Sequence, residues 1–152
     1  MRLALNGLCG TPGSASWSNR EWTTKVKEAL AKAGRARGYQ VFASSASGVD
    51  GGEWLFDLCW LSYRGEWLVD APLVVESEWL PHSLDDDFQK LLVARAKLRL
   101  MVFPARNSEA ADALFERFEA SVKRFSAKEG RFLLACWRND TERFHYRRVA
   151  AA

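Results

Sequence analysis

Two stretches constrain the fold of this chain most: residues 53–63, EWLFDLCWLSY, and residues 73–79, LVVESEW. Their aromatic and aliphatic content favours strands over helices, and strands this apolar need cover on both faces of a sheet. Yet acids sit inside them, Asp57 in the first and Glu76 and Glu78 in the second. A carboxylate within an apolar strand is costly unless it is paired or holds a metal. Residues i and i+2 of a strand share a face, so Glu76 and Glu78 are expected together, with Val75, Ser77 and Trp79 opposite. Glu53 and Asp57, four residues apart, also share a face. If the two strands are neighbours, the acids form a cluster of oxygen ligands, the chemistry that suits Mg²⁺ (or Mn²⁺).

The other segments supply cover for such strands. Ser18 or Asn19 can cap a helix to about Ala33, with Trp22, Val26, Ala29, Leu30 and Ala33 as its buried stripe and Lys25, Lys27, Glu28 and Lys32 mostly off it. Tyr39–Ser45 reads as a short strand. Pro72 is expected to interrupt the strand character that resumes at 66–69. Asp85, Asp86 and Asp87 precede an apolar run and mark a helix start, since acids favour the positive end of a helix dipole. That helix is expected to reach about Ala96. Leu98–Phe103 reads as a strand closed by Pro104. Ser108 caps a long helix to about Lys128, with Phe125 on its inner face. Residues 131–137 and 142–149 form a hairpin across Asn139-Asp140. Residues 6–18, rich in Gly, Ser and Pro, read as a loop after a short strand at 2–5, and they lack the Gly-Lys-Ser/Thr of a phosphate-binding loop. The elements run α-β-β-β-α-β-α-β-β, which implies one α/β domain over 1–152 with a mixed central sheet flanked by helices.

Composition narrows the function classes. Of the 152 residues, 48% are hydrophobic and 27% charged, as in an ordinary globule. No apolar run approaches the ~18–20 residues of a membrane span, and the start lacks the apolar core of a secretory signal. Three scattered cysteines and two histidines argue against a zinc site; a cytoplasmic protein with reduced thiols is expected. The net charge of +3 is unevenly spread. Residues 1–49 carry seven basic and two acidic groups, residues 50–90 two basic and ten acidic, and residues 121–152 eight basic and three acidic. An acidic centre between basic ends suits a cation site set among phosphate-binding surfaces. Most of Trp54, Trp60, Trp67 and Trp79 are expected in the core.

With Asp57 in one strand and Glu76-x-Glu78 in the next, between flanking helices, the chain resembles the PD-(D/E)XK nuclease superfamily. The resemblance covers about 85 residues, 19–103. It implies a restriction-endonuclease-like core there, preceded by a flexible lead-in (1–18) and followed by a helix and C-terminal hairpin (104–152). Asp57 matches the motif aspartate and Glu76 the acid of the (D/E)-x-K element, while Glu78 stands where lysine is usual. Some restriction enzymes of the superfamily carry Glu-x-Glu there, and other members move the lysine to the following helix, where Lys90 stands beside Gln89.

The resemblance implies a Mg²⁺-dependent hydrolase of phosphodiester bonds. Asp57 and Glu76 would be its metal ligands, and Glu78 or Lys90 would orient or deprotonate water. Glu53 and Gln89 would be accessory, and Glu21 or Glu28 could add a helix glutamate. The partner would be nucleic acid, with DNA the leading candidate. Arg143, Arg147 and Arg148 of the last hairpin would contact phosphates, and a homodimer would supply two sites for two strands. Two other readings stand beside this one. One is a catalytically inactive nuclease-fold module for nucleic-acid binding or assembly, and the other is a small α/β ligand-binding domain.

Overall fold

The computed structural model describes residues 1–125 and 130–151. Its elements are α1 (Arg2–Asn6), α2 (Asn19–Arg35), β1 (Gln40–Ala43), β2 (Leu58–Arg64), β3 (Trp67–Ser77), α3 (Leu84–Val93), β4 (Arg99–Ala105), α4 (Ser108–Arg124), β5 (Arg131–Arg138) and β6 (Arg143–Ala150). The strands form one mixed sheet in the order β1-β2-β3-β4-β5-β6. β1, β2 and β3 are antiparallel, β3, β4 and β5 parallel, and β5 and β6 antiparallel. The two parallel connections pass through α3 and α4. Right-handed crossovers that step in the same direction put their helices on the same face. Accordingly α3 and α4 cover one face with Met101, Phe103 and Leu134. α1 and α2 cover the other with Val75, Leu100 and Val102.

Local signals set the helix starts. Ser18 caps α2 through a full capping box, its Oγ accepting from the Glu21 N–H while the Glu21 carboxylate accepts from the Ser18 N–H at 2.7 Å. α4 is capped one residue earlier than expected, by Asn107, whose Oδ1 accepts from the Ala110 N–H. It ends at Arg124, and Phe125 is extended and exposed instead of inward-facing. The expected end near Lys128 lies outside the described residues. α3 stops at Val93, short of Ala96.

Several expectations are corrected. Residues 2–5 are helical, and the segment expected as a loose lead-in is packed: Leu5 is fully buried, and Tyr146 Oη donates to Asn6 Oδ1 at 2.7 Å. β2 begins at Leu58, not at Glu53, because β1 has no residue left to pair beyond Ala43↔Leu58. β3 is one strand through Pro72. The proline lies at the register shift between Trp60↔Leu73 and Ser62↔Asp70 and before β4 pairing begins at Val74, so no ladder bond is lost. Pro104 lies inside β4. The Val102 carbonyl accepts from Glu78 N on the β3 side, so position 104, two residues on, also faces that side, where β3 has already ended. Trp60 and Trp79 are core, whereas Trp54 and Trp67 are exposed.

Gly34 shows how closely α2 sits on the sheet. A Cβ there would lie 2.5 Å from Trp60 Nε1, the atom that donates to the Leu30 carbonyl at 3.1 Å. Gly34→Ala is expected to cost about 1–3 kcal/mol by pushing the indole off this bond, measurable by urea unfolding.

Candidate functional site

Where β2 starts and β3 ends, the ladder pairs Leu58 with Val75. The next residues outward are Asp57 and Glu76, and the two acids are neighbours. Asp57 lies just before the strand. Its Oδ2 accepts from the Ser77 N–H at 2.8 Å, so the side chain takes the place of a ladder carbonyl. Glu76 lies within β3 on the α3 face and is only 2% exposed. Among the described residues its Oε1 has no hydrogen-bond partner. Burial pushes its carboxyl up to about 8, with the charges of Asp57 and Asp87 adding to the shift and Lys90 opposing it. The same burial, with Glu76 nearby, raises the Cys59 thiol to about 12.

Two lysines approach from opposite sides. Lys90 of α3 stands 3.8 Å from Glu76 Oε1 and donates to Asp87 Oδ1 at 2.6 Å. That bond to Asp87 is the main reason the Lys90 ammonium is held above its usual range. Lys27 of α2 is buried and reaches Asp57 Oδ1 at 3.4 Å and Glu53 Oε2 at 3.8 Å. It also donates to Ser44 Oγ, which in turn donates to Glu53. Glu53 is thus tied to Asp57 through Lys27, not through a shared strand face.

Lys27 is the residue that sequence reasoning missed. The buried positions of α2 are Trp22, Val26, Lys27, Leu30, Ala31 and Gly34, a stripe wider than the one expected. Lys27 four residues before Ala31 was the available signal.

Other expected members stand elsewhere. Glu78 is past the end of β3, and its Oε1 accepts from the N–H groups of Trp79 and Leu80, so it does not share the Glu76 face as a strand residue would. Gln89 is exposed and takes part in none of the cluster's bonds. Glu21 is used in the α2 cap, and Glu28 pairs with Lys25 and Ser47. In β6, Arg147 is engaged by Asp112 and Glu119 of α4 and lies over the Phe115 ring. Arg143 and Arg148 are exposed.

Among the described residues, no group of three or more His, Cys, Asp or Glu is arranged to hold a metal ion. No helix among them is long and apolar enough to cross a membrane. No protein-family model matches the chain, nor does any curated protein or solved structure.

Proposed function

We propose that the chain is a divalent-metal-dependent nuclease whose centre is the pair Asp57 and Glu76, with Lys90 beside it. One observation carries this reading. Glu76 is a fully buried carboxyl with an unpartnered oxygen, next to a second carboxylate and within ion-pair range of a lysine. A buried acid left in that state is unfavourable unless a cation completes it. Mg²⁺ is commonly held by one or two carboxylates, with water and substrate phosphate as its other ligands, so two acids are enough for it. The helix, antiparallel three-strand unit, helix and parallel strand over 19–105 support the likeness to the PD-(D/E)XK core.

When bound, the cation supplies Lewis-acid polarisation of the phosphate and a more acidic water. The remaining roles belong to the chain. Lys27 and the Ser77 N–H hold Asp57 in place from two sides. Glu76, whose burial raises its carboxyl to about 8, would release its proton to solvent on holding a cation. Lys90, anchored by Asp87, presents its ammonium where the attacking water or the phosphate oxygens would stand.

The test is Mg²⁺ or Mn²⁺ binding by calorimetry, followed by cleavage assays on single- and double-stranded DNA and RNA. We expect binding and cleavage in the wild type and neither in Asp57→Ala/Glu76→Ala. Cleavage that survives the double substitution would refute the proposal. A second reading, a nuclease-fold binding module without catalysis, is favoured by Lys27 already neutralising Asp57. Nucleic-acid binding with no cleavage in saturating metal would select it.

A further inference from the structure

We propose that the end of the sheet where β4 and β5 begin is a binding face for the phosphate backbone of nucleic acid. A cleft of about 840 Å³ there is lined by Arg2, Arg37, Lys97, Arg131 and Arg148, and among the described residues no acidic one lines it. An adjoining cleft of about 760 Å³ shares Lys97 and Arg131 and adds Arg95 and Arg99. Its one carboxylate among the described residues, Asp70, is paired with Lys97. None of Arg2, Arg37, Arg95, Arg131 and Arg148 has a carboxylate partner among the described residues. Arg99 is buried, with two of its nitrogens on the Ala94 carbonyl and Nη1 without a partner among the described residues. Met1 lines the first cleft as well.

These cations come from α1, the turn after α2, the segment leading into β4, the start of β5 and the end of β6. The two basic ends of the sequence therefore meet at one place. Like charges are gathered this way at a cost in mutual repulsion, which a polyanion would relieve while releasing its own counterions. Concave clefts fit a ridge of phosphates better than a flat lipid surface. Along β3, Pro72 lines the first cleft and Glu76 lies four residues further on. That is about 13 Å along the strand, with Glu76 on the α3 face and the Trp60, Leu98 and Leu133 that line the cleft on the other face.

The choice of nucleic acid rests on the nuclease reading, whereas the convergence of charge does not. The experiment therefore separates the two. Binding of fluorescein-labelled single- and double-stranded DNA is followed by anisotropy in EDTA, on the Glu76→Gln background, between about 50 and 200 mM salt. The triple charge reversal Arg37→Glu/Arg131→Glu/Arg148→Glu changes only exposed side chains. It is expected to weaken binding at least about tenfold and to lower the salt slope by about 2–3. Arg106→Glu, an exposed residue that lines neither cleft, is expected to bind as the parent does. Thermal unfolding checks that the triple variant is folded, and single alanine substitutions at Arg131 and Arg148 replace it if it is not. No binding by the parent, or unchanged binding by the folded variant, would overturn the proposal. So would binding to phosphatidylserine vesicles without binding to nucleic acid, which would make this a lipid face. DNA binding lost in the triple variant, with no cleavage by the wild type in metal, would leave this proposal standing and sink the nuclease reading. The converse result, cleavage with unchanged binding, would do the opposite.

Discussion

In metal-free buffer the protein is expected to lose stability steadily as the pH rises from about 4.5 to about 8, and Mg²⁺ is expected to restore it. The cause is Glu76, whose carboxyl is pushed up to about 8 in the fold by burial and by the charges of Asp57 and Asp87. Below about pH 4.5 the group is protonated in both the folded and unfolded chain, and it imposes no penalty. Between the two values the unfolded chain has released the proton while the folded protein still holds it. The unfolded state therefore binds fewer protons, and stability falls with a limiting slope of about 1.4 kcal/mol per pH unit. Above about 8 the contribution levels off, at a total loss on the order of a few kcal/mol.

Chemical denaturation across this range should therefore give a sloping curve for the wild type and a flatter one for Glu76→Gln. Asp57→Asn should move the slope to lower pH, because one of the charges that raises Glu76 is gone. A cation that binds only the ionised pair stabilises the folded state by about 2.7 kcal/mol at a hundred times its dissociation constant. For a domain of this size that is about 8 °C in Tm. Parallel curves for wild type and Glu76→Gln would show that Glu76 does not titrate in this window.

Trp22→Ala should cost about 3–5 kcal/mol and lower Tm by about 10 °C. Trp22 is buried in α2 at the centre of an aromatic group. Its ring centroid lies 4.7 Å from Trp17, 4.8 Å from Trp79 and 4.4 Å from Trp137, with Phe144 edge-on at 6.2 Å. Truncation leaves a large void among rings held by β5, β6 and the residues after β3, which cannot all close on it. Trp79 stacks on Trp22 and follows Glu78 directly, so the turn beyond Glu76 loses its support as well. We expect weaker metal binding in this variant and a diminished near-ultraviolet circular dichroism signal. Trp67→Ala is the contrast: with 71% of the residue exposed, it should shift stability by no more than about 0.5 kcal/mol. Equal losses at the two positions would contradict the packing described above.

Features governed by neighbours in the chain were readable beforehand. The α2 start follows from Ser18 and Glu21, three residues apart, and the β5–β6 turn from Asn139-Asp140. The apolar spacing of Trp22, Val26 and Leu30 marks the buried side of α2. The site was legible only in part. Asp57 and Glu76 stood out as acids in apolar surroundings, and they are neighbours. Glu78 carried the same signal, but the strand ends one residue before it, and its carboxylate turns onto the local N–H groups of Trp79 and Leu80. Where a strand ends depends on how far its partners extend, which alternation within one segment does not encode.

Lys27 and the basic clefts illustrate the same limit. A lysine beside a helical stripe reads as solvated until an acid from another segment faces it, and Asp57 lies thirty residues away. Arg2 and Arg148 are neighbours in space because β6 passes beside α1, where Tyr146 bonds to Asn6 and Arg2. Apart from residues 2–5, expected as a strand and folded as a helix, and the start of β2, the sequence by itself determined the helical and strand segments, the mixed α/β class and the two acids most worth following. Tertiary structure alone decided that Lys27 closes on Asp57, that Glu76 keeps an unpartnered oxygen, that Arg147 is neutralised on α4, and that the basic ends converge. Propensity, capping and periodicity act over a few residues, whereas burial and charge pairing follow from the register of strands and the faces onto which the crossovers place their helices.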